Sequence, residues 1–326
     1  MKRAHFAIAL AAGLAGCATP LATRVASPLS AYGRSPDAAL ACRLLQASRC
    51  AYAVAGTGRL DLNNSSYPAC SDGSLDRMPI ADHAQQVNAV LVELTPNSVI
   101  IAYRGTLPPT RGGDARKTLE DWIQDTEAEP VREQGIAGEM HRGFHAAFAQ
   151  TQGELLAVLA KWNSAGALKG KSIYVTGHSK GGAMAIIAAI HLFNAGYKPK
   201  AVYTFAAARA GDSDFQQAYG GKNIETWRYE NRFDIVPHLP PNSADGALLQ
   251  DVFDQAPQLR HDEYQSAGYL MFINWDGHLT ASYDGLNGDR ILRFKERVAM
   301  AGAAETIINA HSSSVGGQYG QAVCGE

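Results

Sequence analysis

Val175-Thr176-Gly177-His178-Ser179-Lys180-Gly181-Gly182 is the stretch on which the reading of this chain turns. Upstream, Ser172 to Thr176 (SIYVT) is a short β-branched and aromatic run, and downstream, Ala183 to Phe193 is an unbroken helix-forming stretch rich in Ala and Ile. The expected local structure is strand, sharp turn, helix. A serine on such a turn has a strained backbone that exposes its hydroxyl, while flanking glycines let the strand and helix pass closely. The first amides of the helix then face the hydroxyl as ready donors to a developing negative charge. In a chain with 32 glycines a bare GxSxG means little. Its strand-turn-helix setting makes Ser179 a candidate nucleophile.

Outward from this turn the pattern alternates. Val87 to Leu94 and Ser98 to Tyr103 read as two strands of a hairpin joined by Thr95-Pro96-Asn97. Phe144 to Trp162 carries apolar residues at helical spacing, and further strands are expected at Ala201 to Ala206 and Ile224 to Tyr229. Gly56 to Arg77, full of Gly, Asn, Ser and Pro, reads as a loop. Alternating strands and helices with near-continuously apolar central strands imply an α/β fold, a mostly parallel sheet with helices on both faces and an antiparallel hairpin at its leading edge. No linker divides residues 38–326, which read as one domain.

A serine hydroxyl needs a base to take its proton, and the base needs an acid to orient it. In this fold the expected chain order is Ser, acid, His, with the groups on loops at the carboxyl ends of strands. Asp234, in Asn231 to Pro237 after the strand ending near Tyr229, meets the requirement. Asp212 and Asp214 compete, but they suit the N-cap and first turn of a helix through Phe215 to Tyr219. Of the histidines beyond the acid, His238 is only four residues on, His261 sits in a polar surface run, and His278 lies at a hairpin turn. His311, in a small-residue loop after the amphipathic stretch Arg290 to Met300, is the preferred base, with His278 second. His178 reads as a packed, hydrogen-bonded neighbour of the nucleophile. The oxyanion donors are the amide of Lys180 and the amide and hydroxyl of Thr106, in Tyr103-Arg104-Gly105-Thr106 after an early strand.

The chain has 326 residues, a formal net charge of −2, 46% hydrophobic and 18% charged residues, which excludes wholesale disorder. Without Lys/Arg clusters longer than a pair, no nucleic-acid partner is expected. Lys2 and Arg3 followed by the short apolar stretch Phe6 to Leu14 form an export signal. Its end, Leu14-Ala15-Gly16-Cys17, resembles the lipobox of bacterial lipoproteins. Residues 1–17 are thus expected to be a signal peptide, with Cys17 acylated and Ala18 after it in keeping with sorting to the outer membrane. Residues 18–37, rich in Ala, Ser, Thr and Pro, read as a flexible tether. Cys42, Cys50, Cys70 and Cys324 remain, enough for two disulfides in an exported protein. Cys42 and Cys50 share one expected helix and stand about 12 Å apart along it, too far to pair with each other. The other two connectivities stay open.

Several ordered blocks together resemble the class 3 lipases of the α/β-hydrolase superfamily. They are Tyr103 to Thr106 (YRGT), Asp121 to Asp125 (DWIQD), Met140 to Phe148 (MHRGFHAAF), Val175 to Gly182 (VTGHSKGG), Tyr203 to Gly211 (YTFAAARAG), Asn231 to Pro241 (NRFDIVPHLPP) and Asn309 to Tyr319 (NAHSSSVGGQY). The resemblance implies Ser179 as nucleophile, Asp234 as acid, His311 as base, Thr106 as an oxyanion donor, and lipid esters as substrates, without metal or cofactor. Two departures stand out. Lys180 replaces the leucine that commonly follows the nucleophile, and residues 107–119, where relatives carry a lid, lack an amphipathic helix with a broad apolar face. A feruloyl or polyester esterase, or a non-catalytic envelope lipoprotein on the same scaffold, are the competing readings.

Overall fold

The structure, a computed structural model, describes residues 33, 35–61, 70, 75–82, 87–106, 129–240, 242, 245, 263–281, 286, 288–290, 292–293 and 309–326. The export signal with Cys17, most of the tether, the lid stretch 107–119, the block Asp121 to Asp125, His261 and most of the stretch 290–300 lie outside the described residues.

Eight strands form the main sheet: β1 (Asp76–Ala81), β2 (Ala89–Leu94), β3 (Ser98–Tyr103), β6 (Ser172–His178), β7 (Pro199–Phe205), β9 (Glu225–Asn231), β11 (Tyr269–Ile273) and β12 (Leu279–Ala281), in that spatial order. The centre, β3 to β11, is parallel, and antiparallel pairs close both edges. The β2–β3 hairpin is the one expected from the sequence. Strand β1 is not: it begins inside the stretch read as a loop, and Pro79 within it, which cannot donate to a ladder, masks the signal. A small second sheet joins β4 (Pro130–Val131), β5 (Met140–His141), β8 (Gly211–Asp212) and β10 (Tyr264–Gln265).

Parallel strands are buried on both faces, and alternate residues here enter two separate cores. On β3, Val99, Ile101 and Tyr103 join the helices α2 (Arg142–Ser164) and α3 (Lys180–Asn194) on one side. Ile100 and Ala102 face α1 (Ala38–Cys50) on the other, together with Tyr203, Phe205, Trp227 and Tyr229 from β7 and β9. Asp37 caps α1, accepting from the Leu40 amide at 3.0 Å. Two further helices among the described residues are α4 (Ser213–Gly220) and α5 (Gln318–Cys324), the latter packed on α1. Among the described residues no helix is long and apolar enough to cross a membrane.

Two disulfides resolve the open connectivity, Cys42–Cys324 and Cys50–Cys70. The first joins α1 to α5 across 282 residues of sequence, so it restrains the unfolded chain strongly and holds the C-terminal helix in place.

Glu230 on β9 contributes to the stability of the fold toward acid. Its buried carboxylate pairs with Arg228 and, at 2.8 Å, with Arg290 Nη1. Burial pushes the carboxyl up, but the guanidiniums of Arg228 and Arg290 outweigh it and bring it down to about 2. A depressed carboxylate contributes stability that is complete above its unfolded value and lost as pH falls toward the folded one. Glu230→Gln is therefore expected to cost about 3 kcal/mol at neutral pH and to flatten the stability curve between about pH 5 and 2. Urea melts of both proteins across that range measure it; parallel curves would refute the assignment.

Candidate active site

Ser179 stands at the turn between β6 and α3 with φ 60° and ψ −131°, a left-handed backbone that serine rarely adopts. The turn survives because its glycines let three backbones meet. A Cβ on Gly177 would strike the Gly181 carbonyl, and one on Gly181 would strike that of Tyr103. Gly105 is pressed in the same way: its Cβ would collide with the Tyr52 hydroxyl and lie 2.6 Å from the His178 carbonyl oxygen and 3.0 Å from Ser179 Cβ. The Tyr103-to-Thr106 turn is thereby seated directly on the serine turn. Thr106, Ser179 and Lys180 line one cavity of about 320 Å³. Lys180 opens α3, so its amide belongs to the first turn that has no partner within the helix.

Asp234 follows β9 and is buried beside His311, whose Nδ1 lies 3.0 Å from each carboxylate oxygen. Two further donors hold the carboxylate: the Tyr319 hydroxyl at 2.8 Å and the Val236 amide at 3.0 Å. Burial, with Asp234 beside it, drives the Tyr319 phenol well above its ordinary pKa, so the hydroxyl stays a donor. The loop carrying His311 is tied down by its carbonyls. Asn231 Nδ2 donates to Ala310 O at 2.8 Å, His178 Nε2 to His311 O at 2.8 Å, and Arg49 to Ser313 O and Ser314 O.

His178 joins this pair to the serine turn. Because its Nε2 donates to the His311 carbonyl, its Nδ1 accepts from the Tyr52 hydroxyl, 2.8 Å away. Burial first, then the neighbouring His311, holds its pKa well below the ordinary value, so the ring is neutral. Its centroid lies 4.7 Å from that of His311. His178 is packed and hydrogen-bonded, as its position predicts. The structure thus brings Asp234 and His311 together and, through His178, ties them to the residue next to Ser179.

The competitors fall elsewhere. Asp212 caps α4, accepting from the Phe215 amide at 2.7 Å, and Asp214 is exposed in its first turn. His238 is buried against Asp245, 2.6 Å from its Nδ1. His278 is exposed on the turn between β11 and β12.

Tyr52, Asn231, Arg49 and Tyr319 were not singled out by the sequence for any role here. Asn231 and Tyr319 fall inside family-like blocks and were in that sense within reach. Tyr52 and Arg49, near the end of α1, carry no local signal. The cavity wall also holds a polar strip, in which Lys180 Nζ donates to Asn88 Oδ1 at 2.9 Å and Asn88 Nδ2 to Gln150 Oε1 at 2.6 Å. Phe144, Ala147, Val236 and Leu239 make its apolar side.

Residues 100–244 match the family model described as Lipase (class 3), a segment that contains Thr106, Ser179, Lys180 and Asp234. That segment, somewhat under half of the chain, is similar to the class 3 lipases. His311 lies beyond it. A lipase of Rhizomucor miehei is 33% identical over 145 residues, which are 40% of this chain and 39% of that protein. Phospholipase A1-IIgamma of Arabidopsis thaliana is 25% identical over 175 residues, 44% of this chain and 38% of that protein. The chain therefore spans about two fifths of the length of these relatives. Among solved structures, the native Rhizomucor miehei lipase propeptide complex superposes with a TM-score of 0.54 at 22% identity, covering 75% of this chain and 70% of that one. The lipase of Rhizopus microsporus var. chinensis gives 0.53 at 18%, covering 73% and 76%. The architecture of the chain is the α/β-hydrolase fold expected from its sequence.

Proposed function

We propose that this chain is a serine hydrolase of carboxylic esters, acting on acylglycerols or on the acyl chains of phospholipids. The observation that carries the reading is a strained Ser179 opening on a half-apolar cavity, with a buried Asp234–His311 pair tethered to the neighbouring His178.

In this reading Asp234 takes Nδ1 of His311, fixing the tautomer, so proton transfer falls to Nε2. Ser179 Oγ attacks the ester carbonyl as Nε2 takes its proton, and the oxyanion is held by the Lys180 amide and by the amide and hydroxyl of Thr106. Collapse breaks the ester C–O bond and His311 protonates the departing alcohol. Water then attacks the acyl-Ser179 with His311 again as base, releasing the fatty acid and restoring the serine. No step calls on a metal or cofactor.

The apolar side of the cavity suits an acyl chain, and the similarity to a lipase and to a phospholipase A1 supports lipid esters as the substrate class. The two disulfides support an exported protein. An acylated Cys17, anchored in the outer membrane, would keep the site close to lipid; several acyl chains at about 0.8 kcal/mol per buried methylene make such an anchor firm.

The experiment is a panel on purified protein: short- and long-chain triacylglycerols, phosphatidylcholine, methyl ferulate and an aliphatic polyester. A lipid ester is expected to lead in kcat/KM by about tenfold or more, or roughly 1.4 kcal/mol in transition-state binding. A leading rate on the ferulate or the polyester would replace the substrate class. Failure of Ser179 to label with a fluorophosphonate would favour the non-catalytic reading.

A further inference from the structure

We propose that Glu133, His145 and His191 form a binding site for a divalent transition-metal ion of the Zn²⁺ type, on the side of α2 away from the cavity at Ser179. Glu133 comes from the link between β4 and β5, His145 from the first turn of α2, and His191 from the last turn of α3. One ligand atom from each residue converges, all within 4.8 Å of one another. Glu133 Oε2 lies 2.6 Å from His145 Nε2 and 3.3 Å from His191 Nε2. In tetrahedral zinc sites with bonds of about 2.0–2.1 Å the ligand atoms stand roughly 3.3 Å apart, so small side-chain rotations complete the geometry.

A second observation separates a ligand site from a hydrogen-bonded trio. The His191 side chain is only 9% exposed, and its Nε2 is buried without a hydrogen bond even though the Glu133 carboxylate is within ion-pair distance. Buried polar atoms are almost always hydrogen-bonded, and this one points instead toward a carboxylate and a second imidazole.

The surroundings fix the ring. Phe148 packs against it at 4.7 Å between centroids, and the Gln152 side-chain amide reaches to 3.4 Å from its Nδ1. The amide nitrogen is the atom that faces the ring; turning the amide over by 180° about its last bond would bring its oxygen there to accept Nδ1–H, the outer contact that commits Nε2 to a metal. Two imidazoles and one carboxylate suit Zn²⁺; Ca²⁺ and Mg²⁺ prefer all-oxygen sets. Glu133 and His145 are partly exposed, which leaves a path for the ion and room for water as a fourth ligand.

The ion would not take part in acyl transfer. His191 is twelve residues beyond Ser179, about 18 Å along α3. On α2, Gly143 and Ala147 line the cavity, and at about 100° per residue His145 stands roughly 160° to 200° round the helix from them. Its role is a clamp that pins the β4–β5 link and the start of α2 to the end of α3.

The test titrates Zn²⁺ into the untagged, chelator-stripped protein by calorimetry and repeats it with His191→Ala and Glu133→Gln. One equivalent is expected to bind the unaltered protein and to raise its Tm by several degrees at about a hundredfold excess over Kd. Both variants should lose the equivalent and the Tm rise. Co²⁺ in place of Zn²⁺ should give the visible absorption of a tetrahedral site in the unaltered protein alone. Absence of saturable binding, or the same equivalent in Glu133→Gln, would overturn the proposal. Glu133 is partly exposed, so that variant keeps the test valid if His191→Ala misfolds.

Discussion

Ser179→Ala is expected to lower kcat/KM on any ester the protein accepts by roughly 10⁴ or more, with its Tm essentially unchanged. The loss is large because the hydroxyl forms the bond on which every later step depends; what survives is the rate that the oxyanion donors and the cavity give to attack by water. Stability is expected to hold because the strain belongs to the backbone. At φ 60° alanine costs about as much as serine, and no side-chain hydrogen bond of Ser179 caps α3. Ser179→Gly supplies the contrast, since glycine adopts this region without penalty and should raise Tm while removing activity equally. Steady-state kinetics and a thermal melt on the three proteins decide it. An alanine variant with unchanged turnover would end the case for acyl transfer at Ser179.

What the sequence made legible and what it hid follow from how local each feature is. The serine turn could be read because strand, glycines and helix are consecutive, and its strain depends on those residues alone. The faces of β3 could be read from alternation. Strand β1 could not, because Pro79 contradicts the pattern that a neighbour's ladder overrides. The support of Asp234 by Tyr319 depends on α5 folding back across 85 residues, and the disulfide from Cys42 to Cys324 holds that helix; neither partner announces the other in sequence. Glu133, His145 and His191 likewise belong to three elements, each unremarkable alone. Asp212 shows the reverse case. Its capping role follows from the helix just after it, so the sequence could separate it from Asp234 without any tertiary knowledge.

His311→Ala should bring kcat/KM down by about as much as Ser179→Ala, whereas His278→Ala should leave it within about twofold. The reasoning is geometric. His311 has its Nδ1 held by both oxygens of Asp234 and its carbonyl held by the residue adjoining Ser179, while His278 sits exposed at a sheet-edge turn where its backbone amide and carbonyl are engaged by Asn274. The double variant Ser179→Ala/His311→Ala should be scarcely worse than either single one, because groups acting as one unit fail together. Asp234→Asn tests the same unit from behind. An asparagine keeps the shape, but its amide NH2 donates to Nδ1 and fixes the wrong imidazole tautomer, with the proton on Nε2, and a loss of about 10⁴ is expected. If His278→Ala gave the large loss and His311→Ala the small one, the base would be misassigned. The buried Asp234–His311 pair would then be a structural brace for α5, and its removal should show in the melt rather than in the rate.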